Sequence, residues 1–191
     1  MNETMSRPTL RILAIAGSLR RASQNKGLVR AAIEAAPPGV IVEAAEIADI
    51  PVYNADLDEE NPPAPVRALK ERVRAADALL FATPEYNYSI PGVLKNAIDW
   101  LSRGQERVLR QKPVAIMGAT TGGFGTVRAQ LALRQVFVYT ESLALPKPEV
   151  LVSFGREKFD ADGNLTDPKT REDVRELVKA LADWTRRLRT D

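Results

Sequence analysis

The chain contains no cysteine and no histidine. The first absence excludes disulfides and thiolate chemistry. The second removes the side chain most often used as an acid or base near neutral pH. Together they take away Cys–His and Ser–His nucleophile pairs and the usual ligands of zinc and copper, so no metal site is expected. No charge of one sign dominates: 27 basic against 25 acidic residues leave a net charge of +2, which gives no nucleic-acid footprint. Long apolar runs are missing as well. Ile12 to Ala16 is too short for a signal segment, and no other run approaches the length of a membrane span. A cytoplasmic protein with no membrane contact is therefore expected, and demanding chemistry in it calls for a borrowed cofactor.

What is there suffices for one core. A chain of 191 residues, 45% of them hydrophobic, has the size of a single domain, expected over 10–191 behind a polar, frayed extension at 1–9. The aliphatic run Leu10 to Ala16 alternates little, as a strand buried on both faces of a parallel sheet should. Further strands are expected at Val40 to Ala45, Ala78 to Ala82 and Val114 to Met117, and a fifth within Leu143 to Val152, interrupted by Pro146 and Pro148. Helical spacing recurs between them. The expected helices run from Ser23 or Asn25 to Ala36, through Val66, Leu69, Val73 and Ala76, from Val93 to Leu101, from about Thr126 to Tyr139, and from Asp167-Pro168 to the end. Lys95 and Asp99 are expected to pair along one helix, and Trp100 to be core or interface. The helix after Thr126 is apolar over more than one stripe, so it should bury a second face. Spaced acids from Phe159 to Leu165 suggest a calcium loop, but the glycine and terminal Glu of such a loop are wrong, and a turn at Asp162-Gly163 is expected.

Alternation of strand and helix argues for a doubly wound α/β fold with five parallel strands in the flavodoxin-like order 2-1-3-4-5 and helices on both faces. In that order the loops after strands one, three and four open on one edge, where such sheets hold ligands. These three loops carry the unusual chemistry. The first, Gly17 to Asn25, ends at a helix amino terminus, with Ser18, Ser23 and Asn25 as neutral donors and Arg20 as a planar fork. It lacks both the Gly-Lys-Ser/Thr of a Walker loop and the spaced glycines of a dinucleotide loop, so a terminal monophosphate suits it best. A plain N-cap with two solvated arginines is the competing account. The second, Pro84-Glu85-Tyr86-Asn87-Tyr88-Ser89-Ile90-Pro91-Gly92, is stiffened by prolines and offers aromatic rings and N–H groups to a flat ring such as a flavin; a surface turn would use the same residues. The third, Thr120 to Gly125, has three glycines that let a backbone approach a ring closely.

Gly17-Ser18-Leu19-Arg20 with Ser23 and Asn25, the second loop running into Leu94-Lys95-Asn96-Ala97-Ile98-Asp99-Trp100, and Arg128-Ala129-Gln130 before Leu133-Arg134 together resemble the NADPH-dependent FMN reductase family, and within it the chromate and quinone reductase branch. The resemblance implies noncovalent FMN, NADPH or NADH as hydride donor, a small-molecule electron acceptor, and a homodimer or homotetramer with its active site beside the interface. It implies that Ser18, Arg20, Ser23 and Asn25 hold the FMN phosphate, with Gln24 also in the cofactor site, that Pro84, Glu85, Tyr86 and Asn87 line the isoalloxazine, and that Thr120, Gly122 and Gly123 take its other side. Glu85 should turn its carboxylate away and act through its peptide group, and Tyr86 either walls the acceptor pocket or fixes the loop. The roles of Thr121 and Phe124 stay open. Quinone, chromate, azo dye and free flavin all suit as acceptors. A flavodoxin-like electron carrier without NAD(P)H turnover and a flavin-free phosphometabolite-binding domain remain the rival readings.

Overall fold

A computed structural model describes residues 9–58 and 61–189. The expected frayed segment 1–9 lies, apart from Thr9, outside the described residues. The chain runs β1 (Leu10–Ala16), α1 (Gln24–Glu34), β2 (Val40–Ala45), α2 (Ala64–Ala75), β3 (Ala78–Ala82), α3 (Gly92–Leu101), β4 (Pro113–Ala119), α4 (Val127–Thr140), β5 (Leu143–Ala144), β6 (Val150–Val152) and α5 (Pro168–Leu188). All pairings within the sheet are parallel, in the order β2-β1-β3-β4-β5, with β6 also on β4.

The strands are mostly apolar because both faces of the sheet are covered, with the exposed pair Arg11 and Glu43 as the charged exceptions. Side chains alternate across a strand, so Ile12 and Ala14 of β1 join Leu80 of β3, Met117 of β4 and the helices α1 and α5 in one core. Leu13 and Ile15 join Phe81, Ile116 and the helices α2, α3 and α4 in the other. The edge strand β2 keeps three of its six residues exposed, which matches its weaker run.

Where five strands were expected, the sheet has six. The segment after α4 pairs with Pro113 and Val114 through β5, leaves the sheet, and returns beside Met117 to Ala119 as β6. Pro146 and Pro148 fall in the gap, and neither can donate a ladder hydrogen bond. Trp100 is fully buried, its indole Nε1 donating to Pro51 O at 2.8 Å and its ring meeting Tyr53 edge-on. Lys95 and Asp99 pair at 2.6 Å. The expected turn after Phe159 is present, with Phe159 bridging Leu165 and Gly163 N donating to Asp160 O. Asp167 caps α5 by accepting from Thr170 Oγ1 and N, and these bonds, the hydroxyl's foremost, hold its carboxyl below the ordinary range.

Candidate functional site

The loops after β1, β3 and β4 meet at the carboxyl edge because each strand end is bonded to the next. Gly17 N donates to Ala82 O at 2.8 Å, and Thr83 N donates to Met117 O at 2.9 Å. At Gly118 a side chain would collide with Thr83 O and Thr126 Oγ1, at 2.4 and 2.1 Å, so β4 can pass this close only as glycine. Between the loops lies a cleft of about 210 Å³.

The first loop supplies Ser18, Arg20, Ser23, Gln24 and Asn25 to the cleft wall. Ser23 is the N-cap of α1, its Oγ accepting from Lys26 N at 3.3 Å. No acidic residue stands in the first turn of α1, so nothing in the turn neutralises the positive end of the helix. Arg20 is exposed and has no partner among the described residues. Ser18 is buried, and its hydroxyl makes no hydrogen bond among them. An open hydroxyl, a guanidinium without a partner among the described residues and a helix end with no acid in its first turn are a donor set that suits a phosphate monoester.

Asn25 has a structural task at the cleft. Its Nδ2 donates to Ala119 O and its Oδ1 accepts from Ala119 N, both at 3.0 Å, and the side chain is buried. The amide completes a peptide-like pair with the end of β4, which commits its carbonyl oxygen and one of its two N–H donors. What Asn25 can still offer the cleft is the second Nδ2 hydrogen and its main-chain N–H at the first turn of α1.

In the second loop, Pro84, Glu85 and Tyr86 line the cleft. Tyr86 and Ser89 exchange two main-chain bonds of 3.0 Å, closing a two-residue turn in which Asn87 and Tyr88 both have positive φ, 49° and 68°. This is the primed hairpin turn, natural for Asn and unfavourable for Tyr by about 1–2 kcal/mol. Two expectations change. The Tyr86 N–H is already paired and cannot serve a ring, and Asn87 sits exposed at the turn tip, outside the cleft lining. The Glu85 carboxylate turns to the start of α4, accepting from Arg128 N at 3.0 Å and Ala129 N at 3.2 Å and pairing with the Arg128 guanidinium.

The third loop contributes Thr120 and Thr121, together with Ala119 at the end of β4. Gly122 and Gly123 are exposed beyond that lining. The loop is sewn to the segment after β6: Thr120 N donates to Val152 O, Phe154 N to Gly122 O and Gly155 N to Thr120 O, at 2.9–3.0 Å. Phe154, with φ of 51°, stands half-exposed against Gly123. Sequence reasoning missed Ala119, Phe154 and the use of Arg128. Only Arg128 carried a signal, as part of a motif.

Comparison with known proteins agrees with this geometry. The model of the NADPH-dependent FMN reductase family matches residues 10–157. An NAD(P)H-dependent FMN reductase of Pseudomonas aeruginosa is 51% identical over 180 residues, covering 94% of this chain and 97% of that one. A quinone reductase of Escherichia coli is 40% identical over 183 residues, covering 94% and 97%. The solved structure of a flavoenzyme NAD(P)H:(acceptor) oxidoreductase from Paracoccus denitrificans superposes with a TM-score of 0.84 at 34% identity, covering 94% of this chain and 98% of that one.

Proposed function

Because the chain belongs to the NADPH-dependent FMN reductase family, and is an oxidoreductase using FMN and NAD(P)H, we propose that residues 10–191 act as one domain passing electrons from NADPH or NADH to quinones, with chromate as a further acceptor. The observation that carries this reading is the meeting of three strand-end loops around a cleft where, among the described residues, Arg20 has no partner and the first turn of α1 holds no acidic residue. Bound FMN supplies the relay between a two-electron donor and an acceptor, which a chain without Cys or His could not provide from its own side chains.

The residues divide the work. Ser18 and Ser23 hydroxyls, the first-turn N–H groups of α1 and the Arg20 guanidinium would hold the phosphate, with Gln24 beside them. Pro84 and Tyr86 would border one side of the ring and Thr120 and Thr121 the other. Tyr86, Tyr88, Phe124 and Phe154 leave exposed aromatic surface on the second and third loops and beside them, which suits a flat, apolar acceptor such as a quinone. Reliance on reduced nicotinamide nucleotides fits a cytoplasmic location, and among the described residues no helix is long and apolar enough to cross a membrane.

Anaerobic mixing of FMN-loaded protein with NADPH or NADH tests the reading. The yellow absorbance should bleach without any added reductase, and a benzoquinone should restore it through repeated cycles. Protein that holds FMN but resists both nucleotides would instead be an electron carrier. Arg20→Ala should weaken FMN binding roughly 10- to 100-fold, the worth of a charge-assisted bond of about 1.5–3 kcal/mol; unchanged affinity would remove Arg20 from the phosphate site.

The proposal includes a homodimer or homotetramer. Helix α4 buries Leu133 and Phe137 but exposes Leu131, Val138 and Tyr139 on one outward stripe, which a second copy would cover. Light scattering at micromolar concentration should give a dimer or tetramer mass, and Val138→Glu should shift it downward. A monomer mass for the wild type would end this part of the reading.

A further inference from the structure

Glu85 presents an unusual arrangement for a cleft that handles electrons. Its side chain is 7% exposed, and it forms part of the cleft wall. A buried carboxylate there opposes the arrival of further negative charge. Its own charge is met from one direction: two main-chain N–H groups of the first turn of α4 and the guanidinium of Arg128.

The start of α4 explains why those groups are available. Thr126 occupies the N-cap position in the left-handed region, φ 68°, and makes no side-chain cap bond to the helix. The capping carboxylate comes instead from the second loop, more than forty residues earlier. Arg128 extends the connection. Its guanidinium carbon lies 3.7 Å from the centre of the Tyr88 ring and 4.3 Å from that of Phe124, so one cation touches the second loop twice and the third loop once. The left-handed residues Asn87, Tyr88 and Thr126 flank these contacts, and strained backbone persists only where its surroundings hold it.

We propose that Glu85 and Arg128 form a charge-balanced latch that holds the second loop against the third and sets the reduction potential of the flavin bound in the cleft. Arg128 is a positioning residue: it acts on the flavin by neutralising Glu85 and by fixing the loop that bears Pro84 and Tyr86. Without it the carboxylate keeps only the helix end as a counter-charge, and binding of the reduced, more negative cofactor becomes less favourable relative to the oxidised one. The inference rests on the FMN reading above.

The test is a set of variants, R128M, R128K, E85Q and R128M/E85Q, with the FMN dissociation constant and the midpoint potential of bound FMN measured for each. R128M should lose about tenfold in affinity for reduced relative to oxidised FMN, a fall of about 30 mV for a two-electron couple. E85Q should move the potential upward, R128K should stay near wild type because the cation remains, and the double variant should return toward wild type. An R128M potential equal to wild type, or a fall that E85Q does not reverse, would overturn the latch. If R128M does not fold, an unchanged potential in E85Q overturns it by itself. Wild-type protein that binds no FMN would fail at the earlier step and defeat the cofactor reading, which the dissociation constant detects separately from the potentials.

Discussion

Replacing Gly27 with alanine is expected to destabilise the protein by about 3 kcal/mol, the upper end of what overpacking a close contact costs, and to loosen FMN at the same time. A Cβ at Gly27 would stand 1.9 Å from the carbonyl oxygen of Gly163 and 3.1 Å from the Phe159 ring. The obstacle is main chain, so no side-chain rotation relieves it. Gly163 cannot retreat either. Its φ is +78°, and it packs so closely on the first loop that its own Cβ would lie 2.8 Å from the carbonyl carbon of Ala22. The 159–165 turn is therefore wedged between α1 and the residues leading into it, with Asp160 accepting from the main chain of Asp162 and Asn164 to keep the turn closed. Displacing α1 moves the first-turn N–H groups that face the cleft, which is why stability and cofactor affinity should fall together. Thermal melts of the FMN-free protein and FMN titration check this. Gly163→Ala should reproduce the effect from the other side of the contact, and a Gly27→Ala variant with unaltered melting and affinity would show that α1 is not braced here.

The strands were legible because burial on both faces writes itself as a mostly apolar run, even where Arg11 or Glu43 interrupts it. Leu10–Ala16, Val40–Ala45 and Ala78–Ala82 have the bounds expected of them, and the parallel order followed from the alternation with helices. The three-loop edge followed from topology. What the sequence could not display depends on partners distant along the chain. Asn25 carries the residue type of a phosphate donor, but its amide answers a peptide 94 positions away. Glu85 turns its carboxylate away as expected, but that its destination is a helix beyond the next strand is not written near it. Tyr88 and Phe154 adopt left-handed backbone that glycine or asparagine would have announced and aromatic residues conceal. The fifth strand divides because its two halves reach different levels of β4, a matter of register that the prolines mark without specifying.

Asn25→Asp exchanges one NH₂ for an oxygen, and the loss should be out of proportion to the change. Asp can still accept from Ala119 N, but its second oxygen then faces Ala119 O, which has lost its donor. A carboxylate buried to 3% exposure beside an unpaired carbonyl is an uncompensated charge, worth about 3–5 kcal/mol when one partner of a buried pair is removed. For a domain of this size that lowers the melting temperature by on the order of 10 °C. The pH dependence has a fixed sign. Burial and the facing carbonyl favour the protonated acid, which can donate to Ala119 O, so the folded-state pKa is raised above the unfolded value of about 4. The variant should thus come closest to wild type below about pH 4 and lose ground as pH rises through the raised value. Measured on FMN-free protein, this loss distinguishes a strut from a ligand. If Asn25 served chiefly to bind phosphate, the apo variant would melt with the wild type at every pH and only FMN affinity would fall. The prediction is the reverse: the apo variant melts early near neutral pH because α1 has lost its bond to the end of β4, and weaker FMN binding follows from the loosened first and third loops.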